Sequence, residues 1–534
     1  MSVRNALVLF LALFTLSLLV GCSSSSPTPK APPGGGFSSS SLSGTYVFSS
    51  AGENADGAFM TITGSFTASS GSISGGTVDI ISADPAFGLS PNLTMNNPSF
   101  IISADGRGQI NFGAAVPQGA TSFTFDFVLT STSHGLITEF DPNGTGSGTI
   151  DLQSSPVPQS ALSGLSFSFG VSGEGSSAPF ATLGALTLGA TGGVTAGTED
   201  FNNGGTPSTS AISTSSFVTV GTGTAPGTAQ LLTSFGSGTA SYDVYAIDST
   251  HLKFIETDGA FIASGDAYTQ GTSIPDGTYV FAMSGADIGD NPLSVAGFMP
   301  VSGGTVAGGA EDFNDTGLID SAPVIFSGGF SALTGGRSQL NVASFVNGAA
   351  NDVPGNYLFA AYPFSSNGVT GVQLMEIDGG ITSGVAYVQS GTTLAASQGY
   401  GLNLSAVNVS NGAGGFFEED DIAEFQATST AFTPGIVDIN DVTQGTSYKQ
   451  SFSGTYANVA TGEYTATTTE AGNAFVNFNF YAVNASTFLL LEIDPGQIGT
   501  GIFELQNAST SPGAEPGISM VRASSVQAHA LRRK

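Results

Sequence analysis

Four times in the chain a glutamate and an aspartate stand two residues apart at the end of an apolar run: Glu139 and Asp141, Glu256 and Asp258, Glu376 and Asp378, Glu492 and Asp494. On an extended strand such a pair projects from one face with its backbones about 6.5 to 7 Å apart, within the range of paired glycosidase carboxylates. Acid and base catalysis is therefore the first chemistry to weigh. Against it, each pair adjoins a Gly-bearing turn where carboxylates are simply solvated, and catalysis would require four active sites in one chain. The Glu shares its face with Ile137, Phe254, Leu374 or Leu490. This favours a structural role, with a partly inward side chain accepting backbone N–H bonds that pin the turn.

A second oxygen-rich element is Gly-x-x-Asp, from Gly76 to Asp79, Gly197 to Asp200, Gly309 to Asp312 and Gly435 to Asp438, extended to Asn202, Asn314 and Asn440 in the last three copies. Asp312, Asn314 and Asp315, with Asp438, Asn440 and Asp441, offer oxygen ligands of the kind Ca²⁺ takes. The helix-flanked calcium loop with its terminal Glu is absent, and Asx-turn capping of strand ends is the competing reading. His134 and His251 occupy equivalent places before the Asp, but Gly371 and Thr487 replace them elsewhere. With His529 in the tail, that is too few for a zinc centre or a repeated base. Neither Gly-x-Ser-x-Gly nor a phosphate-cradling loop occurs. The expectation is a protein without a cofactor and without catalysis, Ca²⁺ being the one ion to test.

The elements that carry these residues repeat. After each Asp a Gly-bearing turn and a short run close on Gln153, Gln270, Gln389 or Gln506, and successive Gln residues lie 117, 119 and 117 apart. So steady a period is one domain type copied four times. The boundaries read as 42–153, 161–270, 274–389 and 396–506, joined by short linkers as beads with restricted bending. Gly44-Thr45-Tyr46-Val47-Phe48 opens the first copy and Gly277 to Phe281 the third, while Phe123, Phe125 and Phe127 alternate with Thr124 and Asp126. Alternation of period two marks half-buried strands with one wet face. About eight sequential strands without crossover helices predict an all-β protein of four antiparallel meanders. The up-and-down barrel, which hides its edges, is preferred over a two-sheet sandwich.

Composition agrees. Gly at 75 residues, 39 Phe, no Trp and 9% charged residues describe short strands and many tight turns. Forty acidic side chains against 10 basic leave a formal charge of −30, which would repel phosphate backbones and excludes nucleic-acid binding. The carboxylates are expected to form a solvating surface that keeps the protein soluble and monomeric.

Residues 1–21 read as a signal peptide, with Arg4 before the apolar run from Ala6 to Val20. The run ends Leu19-Val20-Gly21-Cys22, which resembles the lipobox of bacterial lipoproteins, and Cys22 is the single cysteine of the chain. The resemblance implies a mature chain starting at an acylated Cys22. With Ser23 rather than Asp following, it implies the outer membrane. Residues 22–41 read as a flexible tether and 507–534 as a disordered tail. The repeats themselves resemble uncharacterised Gly- and Ser-rich repeat lipoproteins of acidobacterial type, a likeness that implies no activity. Taken together these readings give a non-catalytic, lipid-anchored envelope protein acting as a binding module for a glycan, a peptide or a small apolar ligand. A surface spacer or adhesin array is the alternative and a secreted hydrolase the remote one.

Overall fold

The computed structural model describes residues 36–153, 155–175, 178–235, 238–319, 323–344, 356–409, 416–470 and 477–508. Cys22, the signal segment and most of the tail lie outside them. The fold is all-β, with four antiparallel sheets of eight or nine strands, one per repeat. In every domain the first strand pairs on one side with the second and on the other with the last. In domain 1 Gly44–Asn54 lies between Phe59–Ser69 and Gly144–Gln153, and in domain 4 Gln398–Val409 lies between Phe416–Ala427 and Gln497–Leu505. The meander thus returns on itself. Domain 4 is a closed barrel of eight strands, and domain 3 closes where Pro292–Ser302 pairs with Thr305–Asp315. Domains 1 and 2 are nearly closed: the Met95 N–H reaches Gly76 O at 3.0 Å in one, and Gly193 bridges to Phe217 in the other.

Two repeated residue choices set this geometry. The Glu of each Glu-x-Asp stands opposite an aromatic ring on the preceding strand, Phe125, Tyr242, Phe359 or Phe478. Five residues before each closing Gln is a glycine: Gly148, Gly265, Gly384 or Gly501. A Cβ there would lie 1.7 to 2.4 Å from a carbonyl oxygen of the first strand, so a side chain would push the closing strand out of the sheet. The barrels are filled mainly by Phe. Phe48, Phe66, Phe112 and Phe125 interlock in domain 1, and Phe425, Phe432, Phe480 and Phe503 in domain 4.

Two expectations change. The segment before residue 42 is not all tether: Phe37 is buried in the core of domain 1 and its N–H bonds to Ala104 O at 3.2 Å. The domains are not beads either. Domain 1 packs on 2, 2 on 3, 3 on 4 and 4 back on 1, making a closed ring. The faces expected to be wet are consequently dry at these seams. Asp126 is buried, and well over half of the 40 acidic side chains are buried with it.

Candidate functional site

Each Glu-x-Asp unit is a backbone clamp. One Asp oxygen accepts the N–H of the strand opposite: Thr124 to Asp141 at 2.6 Å, Ser241 to Asp258 at 2.8 Å, Leu358 to Asp378 at 2.8 Å and Asn477 to Asp494 at 2.9 Å. In the first three copies the other oxygen ties its own turn, through the N–H of Asn143, Ala260 or Gly379. Glu points into the barrel and is buried in all four copies. Glu256 accepts from the Phe261 N–H at 3.0 Å, Glu376 from the Gly380 N–H at 3.2 Å and the Thr382 hydroxyl at 2.8 Å, and Glu492 from the Asp494 N–H at 3.1 Å. Burial first, and the adjacent Asp second, push the Glu139 carboxyl well above its usual range. Burial and Asp258 raise Glu256 to about 9. Burial likewise raises Glu376 and Glu492, so burial pushes all four glutamates toward the neutral form, while the Asp oxygens hold turns. All four aspartates, and the glutamates of the last three copies, are thus engaged by backbone N–H groups.

The other repeated polar residues join the domains. Asn202 donates from domain 2 to Glu376 O and Gly380 O in domain 3, at 2.8 and 2.9 Å. Asn314 donates from domain 3 to Glu492 O, Asp494 O and Gln497 O in domain 4, at 3.1, 3.0 and 2.7 Å. Asn440 donates from domain 4 to Glu139 O and Gly144 O in domain 1, both at 2.8 Å. At the remaining seam Ile81 takes the Asn place and packs against Tyr245, Ile255 and Ile262. The closing Gln residues run the same way round. Gln153 donates to Ala246 O, Gln270 to Gly335 O, Gln389 to Ala482 O, and Gln506 to Asp105 O and Leu129 O. A tyrosine of the next domain caps the Asp of Gly-x-x-Asp three times: Tyr245 to Asp79, Tyr362 to Asp200 and Tyr481 to Asp312. The residues weighed for Ca²⁺ are therefore seam and turn residues. Asp438 accepts the Lys449 N–H, Asp441 the N–H of Thr443, and Asp315 lies buried beside Thr316. Among the described residues no group of three or more acidic, His or Cys side chains has the arrangement of a metal site.

Where the domains meet at the inside of the ring, a cluster of charged side chains is buried. Lys253, fully buried, places Nζ 3.0 Å from Asp266 and 2.9 Å from the Thr149 hydroxyl, with Asp151 at 3.7 Å. His251 lies 2.7 Å from Asp266, and His134 lies 2.7 Å from Asp151 and 3.1 Å from Glu504. Burial alone would lower the His134 pKa, but Glu504 and Asp151 push it up to about 10. Burial alone would raise Asp151, but the His134 charge and Lys253 hold it at about 2. Beside this cluster is a cavity of ≈ 960 Å³, counting the open water at its mouth, to which all four domains contribute, among them Ser147, Ser264, Gln373 and Asn403. Lys253 was the member hardest to find in sequence. Its equivalents, three residues before the Glu, are Leu136, Gln373 and Leu489. A charged residue at a place otherwise held by uncharged ones is the available signal of a buried ion pair.

The interior of domain 3 differs from its neighbours. In domain 2 the barrel end is plugged by Phe180 stacked on Phe261 at 4.0 Å, with Phe201 at 5.0 Å from Phe180. Register places Leu293 where Phe180 stands, and Gly380 where Phe261 stands. The turn of domain 3 is one residue shorter, the Asp-to-Gln spacing being 11 rather than 12. Without the plug a cavity of ≈ 680 Å³, including its open mouth, extends into the barrel, lined by Phe281, Met283, Val295, Met299, Phe326 and Leu340 among others. Two carboxyls, Glu311 and Glu376, reach the same cavity.

No protein-family model and no curated protein matches the chain. Among solved structures, a double mutant of transferrin-binding protein B from Haemophilus parasuis Hp5 aligns at 9% identity over 74% of this chain and 86% of that one, with a TM-score of 0.17. Intact Ap-TbpB, with N and C lobes, aligns at 9% over 90% and 96%, with a TM-score of 0.19. The translocation pore of the P pilus usher PapC aligns at 6% over 88% and 99%, with a TM-score of 0.13. Scores this low define no shared fold.

Proposed function

We propose that this chain is a non-catalytic, lipid-anchored protein of the cell envelope that holds a small apolar ligand in its third barrel. The observation that carries the ligand reading is the unplugged cavity of domain 3, ≈ 680 Å³ in extent and walled chiefly by Phe, Met, Leu and Val. That lining, chiefly apolar with two polar carboxyl groups, is of the kind small-molecule sites have. The clasped ring supports a rigid carrier, since the cavity wall at Glu376 and Gly380 is held from outside by Asn202. The test is uptake of the neutral fluorophore N-phenyl-1-naphthylamine. One site per chain is expected, abolished by Val295→Phe and unaffected by Ala185→Ser in domain 2. Absence of uptake by the parent chain rejects the reading.

The filled interiors of domains 1 and 4 favour a second role for those copies, as spacers that complete the ring. The location rests on the Leu19 to Cys22 motif. Labelled palmitate should follow the protein into the outer-membrane fraction and should be lost in Cys22→Ala; equal labelling of both would overturn the anchor.

A further inference from the structure

The seams are copies of one contact, so a seam that departs from the others stands out by comparison. Register places Asp243, Ala360, Asn479 and Asp126 equivalently, each one residue beyond the ring that stands opposite Glu. The Asp of Gly-x-x-Asp from the preceding domain comes to this region, and at three seams its charge is provided for. Asp200 takes the Arg337 guanidinium, with Nη2 at 2.6 Å, and Ala360 is uncharged. Asp312 takes the Asn479 amide at 2.8 Å. Asp438 faces Asp126, but the Arg107 and Lys449 cations act on both carboxyls. Between domains 1 and 2, Asp79 faces Asp243, and the groups acting most strongly on the pair are Asn92, Tyr245 and the two acids themselves, with no Lys, Arg or His among them. Lys253, also at this seam, is bound to Asp266 and Asp151. The Asn clasp is missing here too, Ile81 standing in its place.

Both acids are buried, and they hydrogen-bond to each other, which requires a proton between them. Asn92 joins them: its N–H donates to Asp79 and its amide to Asp243 at 2.8 Å. It does so from the left-handed region, at φ 55°, which Asn tolerates. The Tyr245 hydroxyl donates to Asp79 at 2.9 Å, and burial with the Asp79 charge holds that phenol well above its usual range, so it remains a donor. We propose that the seam between domains 1 and 2 is a proton-operated latch of the ring, shut while Asp79 and Asp243 share a proton and released when both are ionised. Burial pushes Asp79 up to about 7, with Asp243 acting the same way and the Asn92 N–H and Tyr245 hydroxyl against it; burial raises Asp243 as well. Once apart, the two carboxyls would titrate in the ordinary range. The shut seam therefore binds more protons than the released one, and raising the pH through about 7 favours release. Release opens the inner cavity, whose lining at this seam comes from Ser49, Ala51 and Phe59 on one side and Ser172, Ser264 and Asp266 on the other.

The chain has no Trp, so a single one placed at a seam reports on that seam alone. In the full chain, Phe59→Trp puts it among Tyr245, Ile255 and Ile262 at the seam of domains 1 and 2, and Phe298→Trp puts it beside Tyr481 at the seam of domains 3 and 4. Acrylamide quenching of the first should rise by about threefold between pH 5.5 and 8, while the second stays level. Asp243→Asn copies the Asn479 arrangement and should hold quenching at pH 8 to its pH 5.5 level; Asp243→Ala, which copies the Ala360 place, is the second variant and should do the same. Phe59 is buried, so if Phe59→Trp melts below the parent the reading is taken from Leu89→Trp, a half-exposed place where the side chain rests on the domain 2 turn at Gly259. Quenching at the first seam that is flat from pH 5.5 to 8 overturns the latch. An equal rise at both seams overturns it too, because the whole ring is then loosening. A rise that survives both Asp243 variants overturns the assignment of the latch to this pair.

Discussion

Replacing Asn314 by Ala should loosen a domain that does not contain it. Asn314 is fully buried in domain 3, and its amide donates to three carbonyls of the Glu492–Gln497 turn in domain 4, at 2.7 to 3.1 Å. Each net hydrogen bond contributes about 1 kcal/mol, and a buried group left unpaired costs about 1 to 3 kcal/mol, so Asn314→Ala should cost about 3 kcal/mol. Asn202→Ala and Asn440→Ala, which each lose two such bonds, should cost about 2 kcal/mol. The assay is the urea midpoint together with amide exchange across residues 487–505. Because a seam is broken and not a barrel, exchange should quicken first in the domain 4 turn, with strand Thr305–Asp315 following later. A midpoint within error of the parent, or quickening confined to residues 305–319, would refute the clasp.

Lys253→Met should destabilise by about 3 to 5 kcal/mol, since Asp266 and Asp151 lose the buried cation between them, and adding Asp266→Asn should recover much of the loss. A single variant with the parent's urea midpoint would contradict this. Stability should also fall from pH 5 to pH 8, the reverse of a surface-acid protein. Burial raises Asp126, Glu199 and Glu419 to about 7 and Glu424 to about 9, so their contribution is full below the unfolded carboxylate pKa and lost as pH rises through these values. His134, raised to about 10, acts in the same direction above its unfolded value, and Asp151, held at about 2, opposes only in strong acid. A thermal midpoint that is flat or rises between pH 5 and 8 would count against the buried acids. Finally, Phe261→Gly should unplug domain 2 at a cost of about 2 to 3 kcal/mol, less than a fully buried Phe because this ring is only partly enclosed. It should add a second N-phenyl-1-naphthylamine site per chain; unchanged stoichiometry would show that the ring is not the plug.

The repeat, the strand class and the filling of the barrels were legible because each is a local pattern. Phe123, Phe125 and Phe127 alternate with polar residues, and alternation by itself assigns a face to each side chain. The same rule assigned Asp126 to water and failed there, because period two tells inside from outside but not whether another domain covers the outside. The Gly after each Glu-x-Asp marked the turn, but the turn-pinning role was expected of the Glu and the Asp was expected to be solvated, whereas Asp141, Asp258 and Asp378 also tie it. Asn202, Asn314, Asn440 and the four Gln residues could not be read as clasps, since their acceptors lie about a hundred residues or more away along the chain, apart from Gln270, whose acceptor is nearer. The shorter turn of domain 3 was visible as a spacing of 11. Its meaning needed the rings of Phe180 and Phe261, which show what the missing residue would have filled.

Head-to-tail contact between like domains generates either an open filament or a closed ring, and which one follows depends on the rotation each contact imposes. Here every copy offers a third-strand surface and a closing Gln to the next, and its Glu-x-Asp turn to the one before. The seam from domain 4 to domain 1 uses Asn440 and Gln506 as the internal seams use Asn314 and Gln389. Closure leaves no copy of the seam surface unspent, and carboxyls such as Asp126 and Asp312 are buried there. It also divides the positions free to diverge from those that are not. A change at a clasp weakens two domains, whereas a change inside one barrel is felt mainly there. The departures that distinguish the copies fall accordingly: Lys253 and Asp266 on the inner wall of domain 2, and Leu293, Val295 and Gly380 inside domain 3. A binding site in this architecture is therefore to be sought in the barrel whose interior has changed while its clasps have not, and domain 3 meets that condition.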